Sequence, residues 1–259
     1  MTARPVLGGA HLHLDSVPNA RDLGGCLTED GCSSVRTGRV FRAGSLRNLS
    51  SADAVFLGAR LGLRAYFDLR TEEEVHPDDG GYKLGGGGIR WVRVPMSGLS
   101  PAFMAVTVPQ WEDYASNYLY SLKAAGPPLR HLFTALSEAR DWPVAFGCTL
   151  GKDRTGIAAA LLLKALRVSD EQVAADYAAS TCCLVQHSSQ LEWLARAKGV
   201  TSEEMTRRLT TLPQTILRFL ADLRTEHGGV FTYLAEIGVN ATVLEALRER
   251  LLEEPPAAQ

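Results

Sequence analysis

The chain has 259 residues, of which 46% are hydrophobic and 22% charged, and its formal net charge is -2. That length and composition suit a globular protein with a sizeable core and argue against disorder. The near-neutral balance argues against nucleic acid as the main partner, and no apolar run approaches the length of a membrane span.

In chain order, "MTARPVLGGAHLHLDS" lacks the charged-then-apolar layout of a secretory signal, so a cytoplasmic location is expected, with signal-less export left open. The next residues, up to about 40, are glycine-rich and polar and predict loops with short strands. "RVFRAG", from Arg39, predicts a strand. "SSADAVFLGARLG" predicts a helix capped by Ser50 or Ser51 and stopped at Gly62. "RAYFDLR" and "IRWVRVP" predict two more strands, separated by a polar loop, "TEEEVHPDDGGYKLGGGG", with one helical turn. A long loop after Pro95 is expected to cover a site.

"QWEDYASNYLYSLKAAG" and "PPLRHLFTALSEAR" predict two amphipathic helices parted by Gly126 and the prolines. "WPVAFG" predicts a buried strand, and "RTGIAAALLLKALRV" a helix apolar nearly all round and therefore internal. "SDEQ" from Ser169 and "TSEE" from Thr201 predict capping boxes that open further helices. Strands alternate with helices first, and helices dominate afterwards. The expected architecture is α/β, a central mostly parallel sheet flanked by helices, in one domain over 1–259. A less apolar stretch at about 183–212 is expected to form a helical lid, and "EEPPAAQ" a frayed tail.

The chemistry concentrates in "FGCTLGKDRTGI", residues 146–157. A glycine-bearing loop between a buried strand and a helix is an anion site, because the N–H groups at a helix start are unpaired and the helix dipole favours negative charge there. A nucleotide P-loop fits badly. Gly147 and Gly151 are separated by three residues, and Asp153 stands where Ser or Thr should follow Lys152. Cys-x5-Arg fits well. A loop of that length can turn its N–H groups above the sulfur of Cys148, while Arg154 grips two phosphate oxygens with its fork. The same groups stabilise a thiolate able to attack phosphorus. The other cysteines, Cys26, Cys32, Cys182 and Cys183, have no such company, and their spacing suggests neither disulfides nor zinc. His11 and His13 are discounted as metal ligands.

"CTLGKDRTG" resembles the signature of the bacterial tyrosine/serine protein phosphatases, which are cysteine-dependent and dual-specificity-like. "NARDLGG" from Asn19, "FRAGSL" from Phe41, "DLRTEEEV" from Asp68, "ADYAAS" from Ala175 and "YLAEIGV" near the C-terminus are similar to that family's other blocks, in the same order. The resemblance implies Cys148 as nucleophile and Arg154 as phosphate clamp. The backbone of Thr149, Leu150, Gly151, Lys152, Asp153 and Arg154 would complete the cradle. Lys152 would add charge for a second phosphate or an acidic substrate, Asp153 would be the proton donor or a loop-shaping carboxylate, and Thr155 would donate its hydroxyl to the thiolate. Arg21 and Asp22 would belong to the phosphate-binding set as braces, and Asp68 with Arg70 would form a structural ion pair. The family's usual His before the nucleophile is replaced by Gly147, Leu150 replaces a small residue, and "VPMSGLS" offers no Asp as an acid. The missing His implies either a less activated Cys148 or a need for glycine itself.

Three functions are therefore weighed. The first is a metal- and cofactor-independent phosphomonoesterase for phosphotyrosine or phosphoserine/threonine proteins or phosphoinositides. The second is the same chemistry on a small metabolite such as a nucleoside or sugar phosphate. The third is a non-catalytic phosphate-binding module.

Overall fold

The computed structural model describes residues 9–75, 88–97, 109–140, 142–185 and 199–255, together with 192, 195 and 196. The expected covering loop after Pro95 falls largely outside these residues, as do most of the glycine-rich loop before the strand at Arg90 and part of the expected lid.

Five strands form the central sheet: β1 (Arg21–Asp22), β3 (Val40–Ala43), β4 (Ala65–Asp68), β5 (Arg90–Arg93) and β6 (Val144–Gly147). Their spatial order is β1-β3-β6-β4-β5, and every pairing is parallel except β1 with β3. A small second sheet pairs β2 (Ser34–Val35) with β7 (Leu252–Glu253). The α/β expectation holds.

The inner strands are buried on both faces, which is why they read as continuous apolar runs. Alternation still sorts their side chains. Val40, Ala65, Phe67, Val144 and Phe146 point into the larger core cluster. Phe41, Ala43, Tyr66 and Ala145 point into the smaller one, with Leu14, Val17 and Leu57. By the same alternation Arg42 shares the face of Val40.

The larger core lies under α2 (Trp111–Glu138), α3 (Asp153–Ala165), α4 (Asp170–Ala178), α7 (Pro213–His227), α8 (Val230–Glu236) and α9 (Ala241–Leu251). On the other face α1 (Ser51–Val55) continues as a π-helical turn, Phe56–Arg60, before Gly62 turns the chain at φ 69°. Ser50 is its cap, accepting from the Asp53 N–H. The helix α3 is the internal one, with only Asp153, Arg154 and Lys164 not buried. Two short helices, α5 (Ser180–Val185) and α6 (Ser202–Leu209), follow; α6 lies within the stretch expected as a lid and α5 overlaps its start. No helix among the described residues is long and apolar enough to cross a membrane.

Three local expectations fail, one being the box at Thr201, which caps α6 while Glu204 Oε1 instead accepts from Arg208 Nη2 at 2.6 Å. The pair of helices at 110–140 is one helix, α2, running through Pro127 and Pro128. Proline deletes a backbone donor and crowds the preceding turn, at about 3 kcal/mol in a helix interior. Packing outweighs it here, since Ala125, Gly126, Leu129, Leu132 and Phe133 are all buried. Ser169 caps α4, but Gln172 does not close the box. Its side-chain amide instead brackets Leu27, accepting from the backbone N–H and donating to the carbonyl, each at 2.8 Å.

Candidate active site

The strand β6 ends at Gly147 and α3 begins at Asp153, so Cys148 to Lys152 form the connecting loop. Cys148 is buried, and its N–H donates to Thr155 Oγ1 at 2.9 Å. The Thr155 hydroxyl thus accepts from the Cys148 backbone and keeps its own proton for donation.

Three successive loop carbonyls are tied to the scaffold. Thr149 O accepts from the Ser45 N–H at 3.0 Å, and Asn19 Nδ2 donates to Leu150 O at 3.3 Å and Gly151 O at 2.7 Å. Arg42 Nη2 also donates to Gly151 O, at 2.7 Å. In a planar trans peptide N–H and C=O point in opposite directions, so carbonyls drawn down to the sheet turn the following N–H groups up. Among the described residues, the N–H groups of Thr149 to Arg154 have no hydrogen-bond partner. Gly151 permits this turn. Its φ is +67°, and a Cβ there would stand 2.6 Å from Ala43 O.

Arg154 reaches back over this loop. Its guanidinium grips the Glu74 carboxylate with both Nη atoms, Nη2 to Oε1 at 2.7 Å, and Thr149 Oγ1 donates to the same Oε1 at 2.7 Å. Glu74 also accepts from the Thr71 N–H at 2.9 Å, closing a capping box on the helical turn Glu72–Glu74. Burial pushes the Glu74 carboxyl up, but the bonds and charge of Arg154, with Thr71 and Thr149, bring it down to about 2. Burial likewise pulls Arg154 down, while Glu74, the Cys148 sulfur and Asp153 carry it above the ordinary arginine value. Glu74 was not singled out as a site residue in the sequence. The signal was there as the Thr71–Glu74 capping pattern.

Lys152 does not face the cradle. It is almost wholly buried, its Nζ donates to Arg208 O at 2.5 Å, and it stands 4.1 Å over the Tyr114 ring. The expected extra charge for a second phosphate is spent on the C-terminal end of α6, where unpaired carbonyls attract a cation. Leu150 packs against Leu184, Ala195, Met205 and Leu209, so both loop residues bind the expected lid region. Asp153 Oδ1 accepts from Tyr118 Oη at 2.5 Å and lies 3.5 Å from Lys152 Nζ. Tyr118 in turn shares a 2.6 Å bond with Tyr177. Burial first, and Asp153 second, hold both phenols protonated far above the ordinary tyrosine value. Among the described residues, the partners of Asp153 are these two side chains.

Arg21 and Asp22 do not line the cradle. Arg21 is fully buried and donates to Asp176, Asn19 and Ser180. Asp22 accepts from the Gly24 and Gly38 N–H groups at 2.8 and 2.6 Å. Both brace, as strand alternation requires of neighbours facing opposite ways. The Asp68–Arg70 pair is the buried structural pair expected, at 2.7 Å, and Arg93 and Trp91 Nε1 join it. For Gly147 the geometry favours the need for glycine: a Cβ there would stand 2.3 Å from Ala43 O and 2.6 Å from Tyr66 Oη.

The profile of the tyrosine phosphatase family matches residues 12–253. The chain belongs to this family. It is a phosphoric monoester hydrolase with a cysteine-type signature. This phosphatase is 32% identical over 250 residues to a Cupriavidus necator protein carrying a provisional tyrosine-protein phosphatase name, across 90% of this chain and 86% of that one. It is 27% identical over 259 residues to the Nostoc commune tyrosine-protein phosphatase, across 96% and 85% of the two chains. Among solved structures it is similar to the core catalytic domain of the PP-IP phosphatase SIW14 from S. cerevisiae, at 17% identity and a TM-score of 0.39, over 65% of this chain and 76% of that one.

Proposed function

We propose that this phosphatase hydrolyses phosphotyrosine in proteins through a cysteinyl-phosphate on Cys148. The sulfur attacks phosphorus, the S–P bond forms as the P–O bond to the leaving group breaks, and Asp153 delivers the proton to the departing oxygen. Water then attacks the cysteinyl-phosphate, Asp153 takes its proton, and inorganic phosphate leaves with the thiolate restored. The N–H groups of Thr149 to Arg154 and the Arg154 fork hold the equatorial oxygens in both steps. Because this charge comes from the loop itself, a chelator should not alter the rate.

The observation that carries the reading is the orientation of the loop. Three successive carbonyls are tied to the scaffold, and the N–H groups beside the buried cysteine are left without partners among the described residues. Burial of the nucleophile is consistent with an aryl ester: Cys148 is 3% exposed, and a tyrosine ring would carry the phosphate inward. Lys152 is turned toward Arg208, which weighs against a second phosphate and hence against phosphoinositides.

The test is hydrolysis of p-nitrophenyl phosphate and of phosphotyrosine, phosphoserine and phosphoinositide substrates, with and without EDTA, by the wild type and Cys148→Ser. The wild type should turn over phosphotyrosine peptides best and ignore EDTA. The serine variant should lose hydrolysis but still bind phosphate, since a hydroxyl stays protonated at neutral pH. Substantial turnover by Cys148→Ser would overturn the covalent mechanism. A preference for small phosphates would overturn the substrate assignment alone.

A further inference from the structure

Beneath the phosphate loop the charges do not balance. Arg21 and Arg42 have no exposed side-chain surface, and they share one carboxylate, Asp176. Arg21 Nε lies 2.9 Å from Oδ1, and Arg42 Nη1 donates to Oδ2. Asp22 is turned away to the Gly24 and Gly38 N–H groups. Burial, then Asp176 and Asp22, push Cys26 up to about 12, so it adds no anion. Burial and then Arg21 hold His11 below its ordinary value, so it adds no cation. Two buried cations thus face one buried anion. Of the remaining Arg42 donors, Nη2 goes to Gly151 O, and Nε is buried with no hydrogen-bond partner among the described residues. Burial first, and Arg21 second, depress Arg42 below the ordinary arginine value. A buried charge without a counter-charge is strongly disfavoured, so the cluster calls for another anion.

Among the described residues the other charged groups at the loop are paired. Arg154 is paired with Glu74, and Lys152 with Asp153. Tyr66 is kept protonated by burial first and Asp68 second. Burial pushes the Cys183 thiol up, so it adds no anion. Among the described residues Cys148 remains, in the loop whose Gly151 carbonyl accepts from Arg42 Nη2 at 2.7 Å. Arg42 leaves β3 one residue before Ala43, which pairs in register with Gly147, so its guanidinium passes beneath the loop that starts at Cys148.

We infer that the Arg21–Arg42–Asp176 cluster is the electrostatic floor of the active site, and that Arg42 is a positioning residue whose missing counter-ion is the Cys148 thiolate. Arg42 holds the loop through the Gly151 carbonyl and presents its unbalanced charge to the sulfur from below, on the side away from substrate. This inference rests on Cys148 as the nucleophile. It supplies activation that the family's preceding His would otherwise be expected to give.

The test is the pH midpoint of Cys148 alkylation by iodoacetamide, followed on the Cys148 peptide by mass spectrometry in folded protein. Arg42→Met should raise the midpoint by about one unit or more, the usual effect of losing an opposite charge at close range, and Arg42→Lys should raise it less. Asp176→Asn should lower it, because the cluster then carries one more uncompensated positive charge. Opposite shifts are the signature. A purely structural cluster would give two variants that move the midpoint the same way or not at all, and that result overturns the inference. If Arg42→Met fails to fold, as a broken buried pair can, Asp176→Asn and the unaltered protein decide. Buried charges are screened little, so the wild-type midpoint should be the same in low and molar salt. A midpoint that climbs toward the free-thiol value with salt would assign activation to exposed charges and overturn the inference. Alkylation needs no turnover, so failure here leaves the nucleophile assignment standing, while turnover by Cys148→Ser would sink that assignment whatever the midpoints.

Discussion

Gly147→Ala is the smallest perturbation that tests how the nucleophile is seated. Gly147 closes β6 between β3 and β4, in register with Ala43 on one side and Asp68 on the other. An added Cβ would stand 2.3 Å from Ala43 O and 2.9 Å from Ala43 C, and 2.6 Å from Tyr66 Oη. The two contacts are not equivalent. Tyr66 can swing at the expense of its 2.9 Å bond to Gly44 O, but Ala43 belongs to the backbone of a paired strand and can yield only if β3 and β6 separate. Overpacking costs about 1–3 kcal/mol where side chains can adjust, and a backbone clash belongs at or above the upper end. About 3 kcal/mol corresponds to a fall of roughly 6–12 °C in Tm for a chain of this size. Thermal melts of the wild type, Gly147→Ala and Gly147→Ala with Tyr66→Phe measure it, alongside p-nitrophenyl phosphate turnover. Tyr66→Phe should restore little, because it removes the lesser contact. Gly147→His should fare worse than the alanine variant and show no gain in thiol reactivity. A Gly147→Ala protein with unchanged Tm and rate would refute the steric argument and return Gly147 to being a lost activator.

Asp153→Asn should lower kcat by about 10²–10⁴-fold with little change in KM, and less for aryl phosphates with good leaving groups than for alkyl ones; equal losses on both would remove Asp153 from the acid role. Glu74, with its folded pKa near 2 against an ordinary 4.5, contributes stability that is complete above about pH 4.5 and lost as pH falls toward 2. Urea midpoints of the wild type and Glu74→Gln should therefore differ at neutral pH and converge in acid, and a gap that persists at pH 2 would contradict the ion pair. Lys152→Met removes the bond to Arg208 O, so hydrogen exchange in Ser202–Leu209 should rise while exchange in Asp153–Ala165 stays slow; equal exchange in both proteins would mean that the contact does not hold α6.

Much of this was legible in the sequence, for identifiable reasons. The inner strands and α3 announce themselves because burial on all sides leaves only apolar residues, and the Cys148–Arg154 spacing is local to one loop. What could not be read is long-range. Glu74 meets Arg154 across 80 residues, and Arg42 meets Asp176 across 134. Their sequence blocks, "DLRTEEEV", "FRAGSL" and "ADYAAS", were visible as blocks, but nothing local says which member pairs with which. Asn19 escaped for another reason. It adopts a positive φ of 57°, tolerable for asparagine, and that conformation is what allows its amide to reach Leu150 O and Gly151 O. The uninterrupted α2 was misread because Pro127 and Pro128 are strong local breakers, whereas the packing that overrides them comes from helices near the C-terminus, with Gly126 against Ile237.

The placement of the cations has a mechanistic consequence. Among the described residues four lie at the loop, and of these Arg154 alone has a part-exposed side chain, 21% open to solvent. Lys152 is committed to α6, and Arg21 and Arg42 are sealed below. Cations of the latter kind cannot follow a ligand outward or be neutralised by bulk anions, and they need no reordering when charge develops on phosphorus. Selectivity by charge would then fall to Arg154 alone, which already carries a carboxylate in its fork. On the proposed mechanism a phosphoryl group would share that fork with Glu74 or compete with it, and Glu74 would set the angle at which Arg154 meets phosphate. The charged part of the site is thus held by a backbone with no room for a Cβ at Gly147 or Gly151 and with Asn19 at φ 57°.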